Sequence, residues 1–89
     1  MMTHVIKYVV FKFLNNEYII AFPEFMTHSE FAKSVKELSD GLLHPISGGF
    51  VENGECVGES ISLNLKSRGE EDTLLLKKLV YGRQPYLTI

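Results

Sequence analysis

Four residues, Glu52-Asn53-Gly54-Glu55, constrain this chain more than any others. Asn-Gly is the pair that best tolerates the left-handed central positions of a two-residue hairpin, and it lies between two strand-like runs, 46–51 and 56–65. A fixed turn fixes the register. Phe50 then faces Val57, Gly49 faces Gly58, Gly48 faces Glu59, Ser47 faces Ser60 and Ile46 faces Ile61. Because side chains alternate along a strand, Ser47, Gly49, Gly58, Ser60, Ser62 and Asn64 are expected on one small, mostly polar face. Glycines in a strand pair mark a bulge or the close approach of a ligand or another backbone.

A second hairpin precedes this one. Residues 5–14 and 18–22 are dense in β-branched and aromatic side chains, and Asn15-Asn16 supplies residues suited to the turn. That turn places Phe13 opposite Tyr18, Phe11 opposite Ile20 and Val9 opposite Phe22, all on a core face. The other face holds Tyr8, Val10, Lys12, Ile19 and Ala21, too apolar for a face left in water. A helix or a second subunit is expected to cover it, which makes Tyr8, Val10 and Ile19 candidate interface residues. Pro23 ends the strand, since it has no N–H for a ladder.

Each hairpin leads to a helix. Thr27-His28-Ser29-Glu30 has the spacing of a capping box, with Phe31, Ala32, Val35 and Leu38 on the apolar stripe and Gly41 as a left-handed stop. Ser67-Arg68-Gly69-Glu70 repeats the capping spacing, and Glu70, Glu71 and Asp72 suit the positive end of the helix dipole. Leu74, Leu75, Leu76, Leu79 and Val80 follow as a broad apolar face, Gly82 and Pro85 close the helix, and Tyr86 to Ile89 suit a short added strand. The expectation is one α+β domain over residues 1–89, ββαββα, with a four-stranded antiparallel sheet and both helices packed on one face.

Composition narrows the function classes. The 89 residues are 45% apolar and 22% charged, which argues against disorder, and a net charge of −2 does not suit a general polyanion binder. The single Cys56 excludes an internal disulfide and a cysteine-built zinc site, and His4, His28 and His44 lack metal-ligand spacing, so no cofactor or metal is expected. The start has no signal-peptide pattern and no apolar run approaches the roughly 20 residues of a membrane span, so a cytoplasmic protein is expected.

Candidate chemistry is sparse. Arg68, with Ser60 and Ser62, offers a site for a nucleotide or other small anion, although three acids follow it. Lys66, Arg68, Lys77, Lys78 and Arg83 near Tyr81 and Tyr86 make the last third the most basic, a weak basis for nucleic-acid binding. Cys56 has no histidine beside it in the register, and Glu59, in line with apolar neighbours, is expected at the sheet rim.

Over residues 46–79, the succession I-S-G-G-F-V, G-E-S-I-S-L-N-L and S-R-G-E-E-D resembles small accessory proteins of tailed bacteriophages. The resemblance implies a protein made in the host cytoplasm that binds a host or defence component. The expectation is therefore a non-enzymatic binding protein, acting as a homo-oligomer on a host protein. Small-ligand sequestration and nucleic-acid regulation are the alternatives.

Overall fold

In a computed structural model, which describes residues 5–82, the first hairpin consists of β1 (Ile6–Phe13) and β2 (Asn16–Pro23). Its turn is Leu14-Asn15, with Leu14 at φ 56°, so Phe11 faces Tyr18 and Val9 faces Ile20. This differs from the turn read at Asn15-Asn16. The observed register sets Lys12 opposite Glu17, an opposite-charge cross-strand pair that the other register lacks. The turn moves by one residue and the pairing therefore slides by two, so the division of side chains between the two faces is unaltered.

Helix α1 (His28–Leu38) starts as its sequence predicts. The Thr27 hydroxyl accepts from the Glu30 N–H at 3.1 Å, and the Glu30 carboxylate accepts from the Thr27 N–H at 3.0 Å. The helix ends at Ser39, after which Asp40 and Gly41 both turn left-handed and the Gly41 N–H returns to the Lys36 carbonyl at 2.7 Å. Leu38 was expected on the buried stripe but is exposed.

Strand β3 (His44–Glu52) and β4 (Glu55–Val57) form the second hairpin in the register that Asn53-Gly54 dictates, with Asn53 at φ 52° and Gly54 at φ 78°. Phe50 faces Val57 and Val51 faces Cys56. Pairing stops there. Gly58, at φ 79°, turns the chain off the sheet, and the Val57 carbonyl lies over Gly49, in space that a Cβ would occupy. The chain continues as a small separate hairpin of β5 (Glu59–Ser60) and β6 (Leu65–Lys66), so the expected pairs of Gly48, Ser47 and Ile46 with residues 59–61 do not form. Instead β3 pairs along β1, giving a four-stranded antiparallel sheet in the order β2-β1-β3-β4. A bulge at Ile46 interrupts that ladder between Val10 and Phe11.

Helix α2 (Glu70–Gly82) completes the described chain. The two helices cover opposite faces of the sheet, which corrects the expectation that both share one. Val9, Phe11, Phe22 and Ala32 form the core under α1, joined by Phe31 and Val35. Tyr8, Val10, Ile19 and Cys56 form the core under α2, joined by Leu75 and Leu76. The physical reason is composition: β1 is apolar on both faces, and an apolar face left in water forfeits roughly 25 cal/mol for each Å². The side chains of Tyr8, Val10 and Ile19 are thus buried within the single chain, with α2 as the cover of that face. The strand expected at Tyr86 to Ile89 lies outside the described residues.

Candidate functional site

Helix α2 is held to the sheet by a buried polar cluster. Asp72, its third residue, is 0% exposed and sits beneath the helix against Tyr8 of β1. The Tyr8 hydroxyl lies 2.6 Å from Asp72 Oδ2 and 2.7 Å from Ser67 Oγ. A phenol has one proton to give and the carboxylate is the stronger acceptor, so Tyr8 donates to Asp72 and the Ser67 hydroxyl donates to Tyr8. Ser67 in turn accepts from the Gly69 N–H at 2.9 Å. Arg68 completes the cluster: its backbone N–H reaches Asp72 Oδ2 at 3.0 Å and its Nε reaches Asp72 Oδ1 at 2.7 Å. Its two terminal nitrogens grip Glu17 of β2, at 2.9 and 3.3 Å.

The charges follow from this geometry. Burial alone would raise the Asp72 pKa, but the bonds from Tyr8 and Arg68 outweigh it and hold the carboxyl below its ordinary range. The Ser47 hydroxyl contributes to that field although no well-aligned hydrogen bond reaches its buried Oγ. Burial, then the Asp72 bond, pushes the Tyr8 phenol well above its usual value. The bidentate Arg68 contact lowers Glu17.

This cluster changes the reading of the second capping box. Ser67 caps Gly69, and the acid that reaches back to the chain before the helix is Asp72, not Glu70. It also removes Arg68 as an anion site, since Glu17 and Asp72 take its guanidinium from two sides. Arg68 is a clamp between the first hairpin and the last helix.

The small polar face also comes apart. Ser47 and Gly49 stand under α2, opposite Val10 and Tyr8, and both are buried. Ser60, buried too, lies on the α1 side beside Gly48, and its Oγ accepts from the Leu63 N–H within the β5–β6 turn. Ser62 accepts from the Ser29 N–H in the first turn of α1. Gly58 is the hinge between β4 and β5. No shared patch of Ser47, Gly49, Gly58, Ser60 and Ser62 exists, because Gly58 sends the later serines across to α1.

What sequence reading missed is a groove where that hinge meets α1. Lys7, His28, Phe50, Glu59, Ile61 and Ser62 line it, together with Thr27 and Gly58, and its volume is about 440 Å³. His28 and Phe50 stand edge to face with ring centroids 5.5 Å apart, and His28 meets Phe22 the same way at 5.3 Å. The His28 Nε2 lies 2.9 Å from the Gly49 carbonyl, so the neutral ring carries its proton there. Burial lowers the His28 pKa below its ordinary value, the Gly49 carbonyl working against that and Lys7 with it. Lys7 spends one donor on the Met26 carbonyl at 2.8 Å, and Glu59 stands exposed at the groove's edge, paired in register with Lys66 in the separate β5–β6 hairpin and not at the rim of the four-stranded sheet. The groove offers an apolar floor between one cation and one acid. Nothing in the sequence signals it, since Ile61 alternates with Leu63 and Leu65 as a strand residue would.

The remaining candidates are quiet. Cys56 is buried, and burial raises its thiol pKa, so it is neither exposed nor a thiolate at neutral pH. Its N–H is held by the Thr73 hydroxyl at 2.9 Å. Among the described residues no group of His, Cys, Asp or Glu is arranged to hold a metal ion, and no helix is long and apolar enough to cross a membrane. Lys66, Lys77 and Lys78 are exposed, while Arg83 and Tyr86 lie outside the described residues. Compared with protein families, curated proteins and solved structures, the chain matches none.

Proposed function

We propose that this protein acts by binding a protein partner, without catalysis, and that the groove between α1 and the β5–β6 hairpin receives an apolar side chain of that partner. One observation carries the reading: groups capable of chemistry face inward while large apolar groups face out. Tyr8, Asp72, Arg68, His28 and Cys56 are bonded to the protein itself or buried within it. Ile61 at the groove, by contrast, is 87% exposed, and elsewhere Phe25 is 82% and Leu38 88% exposed. Exposed large apolar side chains beside a formed groove are the usual mark of a protein contact.

The resemblance to phage accessory proteins directs the search to host proteins. The anion-binding alternative has lost its cation to Glu17 and Asp72, and the nucleic-acid alternative keeps only scattered lysines. The test is affinity capture from bacterial lysate with the native chain and with Ile61→Asp in parallel. An exposed position tolerates the charge, so circular dichroism and the melting temperature should not change. A specific protein retained by the native chain and lost with Ile61→Asp is the expected result. Equal capture by both proteins rules the groove out.

A further inference from the structure

The two edges of the sheet are treated differently. On one side β4 is only three residues long, and the N–H of Cys56 is held by the Thr73 hydroxyl of α2. Short strands and covered backbone groups are how proteins keep an edge from pairing. On the other side β2 runs for eight residues, and no described residue pairs with its outer edge.

The hydrogen-bonding phase of β2 follows from its turn. Phe13 and Asn16 close a two-residue loop and therefore exchange both hydrogen bonds, so Asn16, Tyr18, Ile20 and Phe22 direct their backbone groups toward β1. Glu17, Ile19 and Ala21 direct theirs outward. From this we infer that β2 pairs antiparallel with β2 of a second copy of the chain, about a two-fold axis at Ile19, extending the sheet across a homodimer.

The strand is self-complementary in that register. Ile19 meets its own copy, Glu17 meets Ala21 of the other chain, and both ends repeat the arrangement by symmetry. Tyr18, 45% exposed, stands across from Ile20 of the other chain on the α1 side, an aromatic-to-β-branched pair of the kind that stabilises strand contacts. The only charge within β2 is Glu17, already neutralised by Arg68, so no like charges oppose one another. Registers that slide toward Pro23 bring a residue without an N–H into the ladder, which favours the Ile19 axis. On the α2 side a shallow groove of about 240 Å³ bordered by Ile19, Leu75 and Leu79 flanks the edge and gives the neighbouring chain an apolar wall.

The dimer surface and the partner groove are separate, so either can fail without the other. The full-length chain is weighed by light scattering and sedimentation from about 1 to 100 µM, where mass action decides the state. The expected mass rises to twice the 10.1 kDa of one chain. Ala21→Pro deletes an outward N–H at an exposed position, and Tyr18→Lys places a charge in the pairing surface. Each should return the mass to a single chain with an unchanged far-ultraviolet spectrum, and if Ala21→Pro does not fold, Tyr18→Lys carries the comparison. In the native chain the amides of Ile19 and Ala21 should gain protection from hydrogen exchange as concentration rises. A native chain that stays at 10.1 kDa throughout overturns the dimer. So does a dimer that forms undiminished with Tyr18→Lys.

Discussion

Replacing Asp72 with alanine tests whether the buried cluster holds α2 to the sheet. Three donors lose their acceptor: the Tyr8 hydroxyl, the Arg68 N–H and the Arg68 Nε. A buried donor left unsatisfied costs about 1–3 kcal/mol, but Ser67 remains 2.7 Å from Tyr8 and can turn to accept, so the lower end applies there. Arg68 is 24% exposed and keeps both contacts to Glu17, so its loss is also about 1 kcal/mol rather than the 3–5 of a fully buried broken pair. The vacated space and the lost helix-dipole interaction add roughly 1 kcal/mol, partly offset by the better helix propensity of alanine. The expected destabilisation is about 3 kcal/mol, a large share of the roughly 4–13 kcal/mol available to a domain of 89 residues. Urea unfolding followed by circular dichroism measures it, and the melting temperature should fall by more than about 10 °C. A double-mutant cycle with Tyr8→Phe separates the contact from the cavity: without the hydroxyl, the loss of Asp72 should cost about 1 kcal/mol less. A loss below about 1 kcal/mol, or strict additivity in the cycle, would refute the account of the cluster as a clamp.

Other consequences can be checked on the same material. The folded pKa of His28 lies below its ordinary value near 6.5, so the unfolded chain takes up the proton first and stability falls as pH drops through and below that value. Urea midpoints between pH 8 and pH 5 should show this slope, at most about 1.4 kcal/mol per pH unit, and His28→Gln should lack it. Gly49→Ala sets a Cβ against the Val57 carbonyl and should cost about 2 kcal/mol or more in a chemical melt, whereas Gly54→Ala meets no neighbouring atom and loses only its left-handed backbone preference. Thr27→Ala removes one half of the α1 capping box and should cost about 1 kcal/mol by the same assay. Cys56 should react with a thiol reagent at the rate of unfolding, far more slowly than in urea, because the folded thiol is buried and protonated.

What was legible in the sequence was what neighbouring residues decide. Asn53-Gly54 fixed its own register because the turn admits few alternatives, and Thr27 with Glu30 fixed the start of α1 because both partners lie within one turn. The turn of the first hairpin was legible to within one residue, since Asn15-Asn16 competed with the Lys12–Glu17 charge pair for its placement. The apolar second face of β1 is also legible, and so is its need for a cover, which Leu75 and Leu76 of α2 supply. Whether helix or subunit supplied that cover depended on Tyr8 meeting Asp72, a contact between residues far apart in the chain that no local pattern encodes. Arg68 looked free for the same reason: Glu17 lies on the opposite end of the sequence. Gly58 stands out in the sequence, but a glycine in a strand permits continuation as well as departure, and the Val57 carbonyl seated over Gly49 distinguishes them.

The placement of α1 and α2 on opposite faces of β1 also sets an order of events during synthesis. Residues 28–38 follow the first hairpin directly, so the Val9 and Phe11 side can be covered while the remainder is still being made. The Tyr8 and Val10 side must wait for residues 70–82. At roughly 5–20 residues per second that interval lasts a few seconds, during which a growing chain bears a naked apolar sheet face. Mutations that slow the docking of α2, at Asp72 or Arg68 above all, should therefore lower yield in the cell by more than their effect on the finished protein suggests.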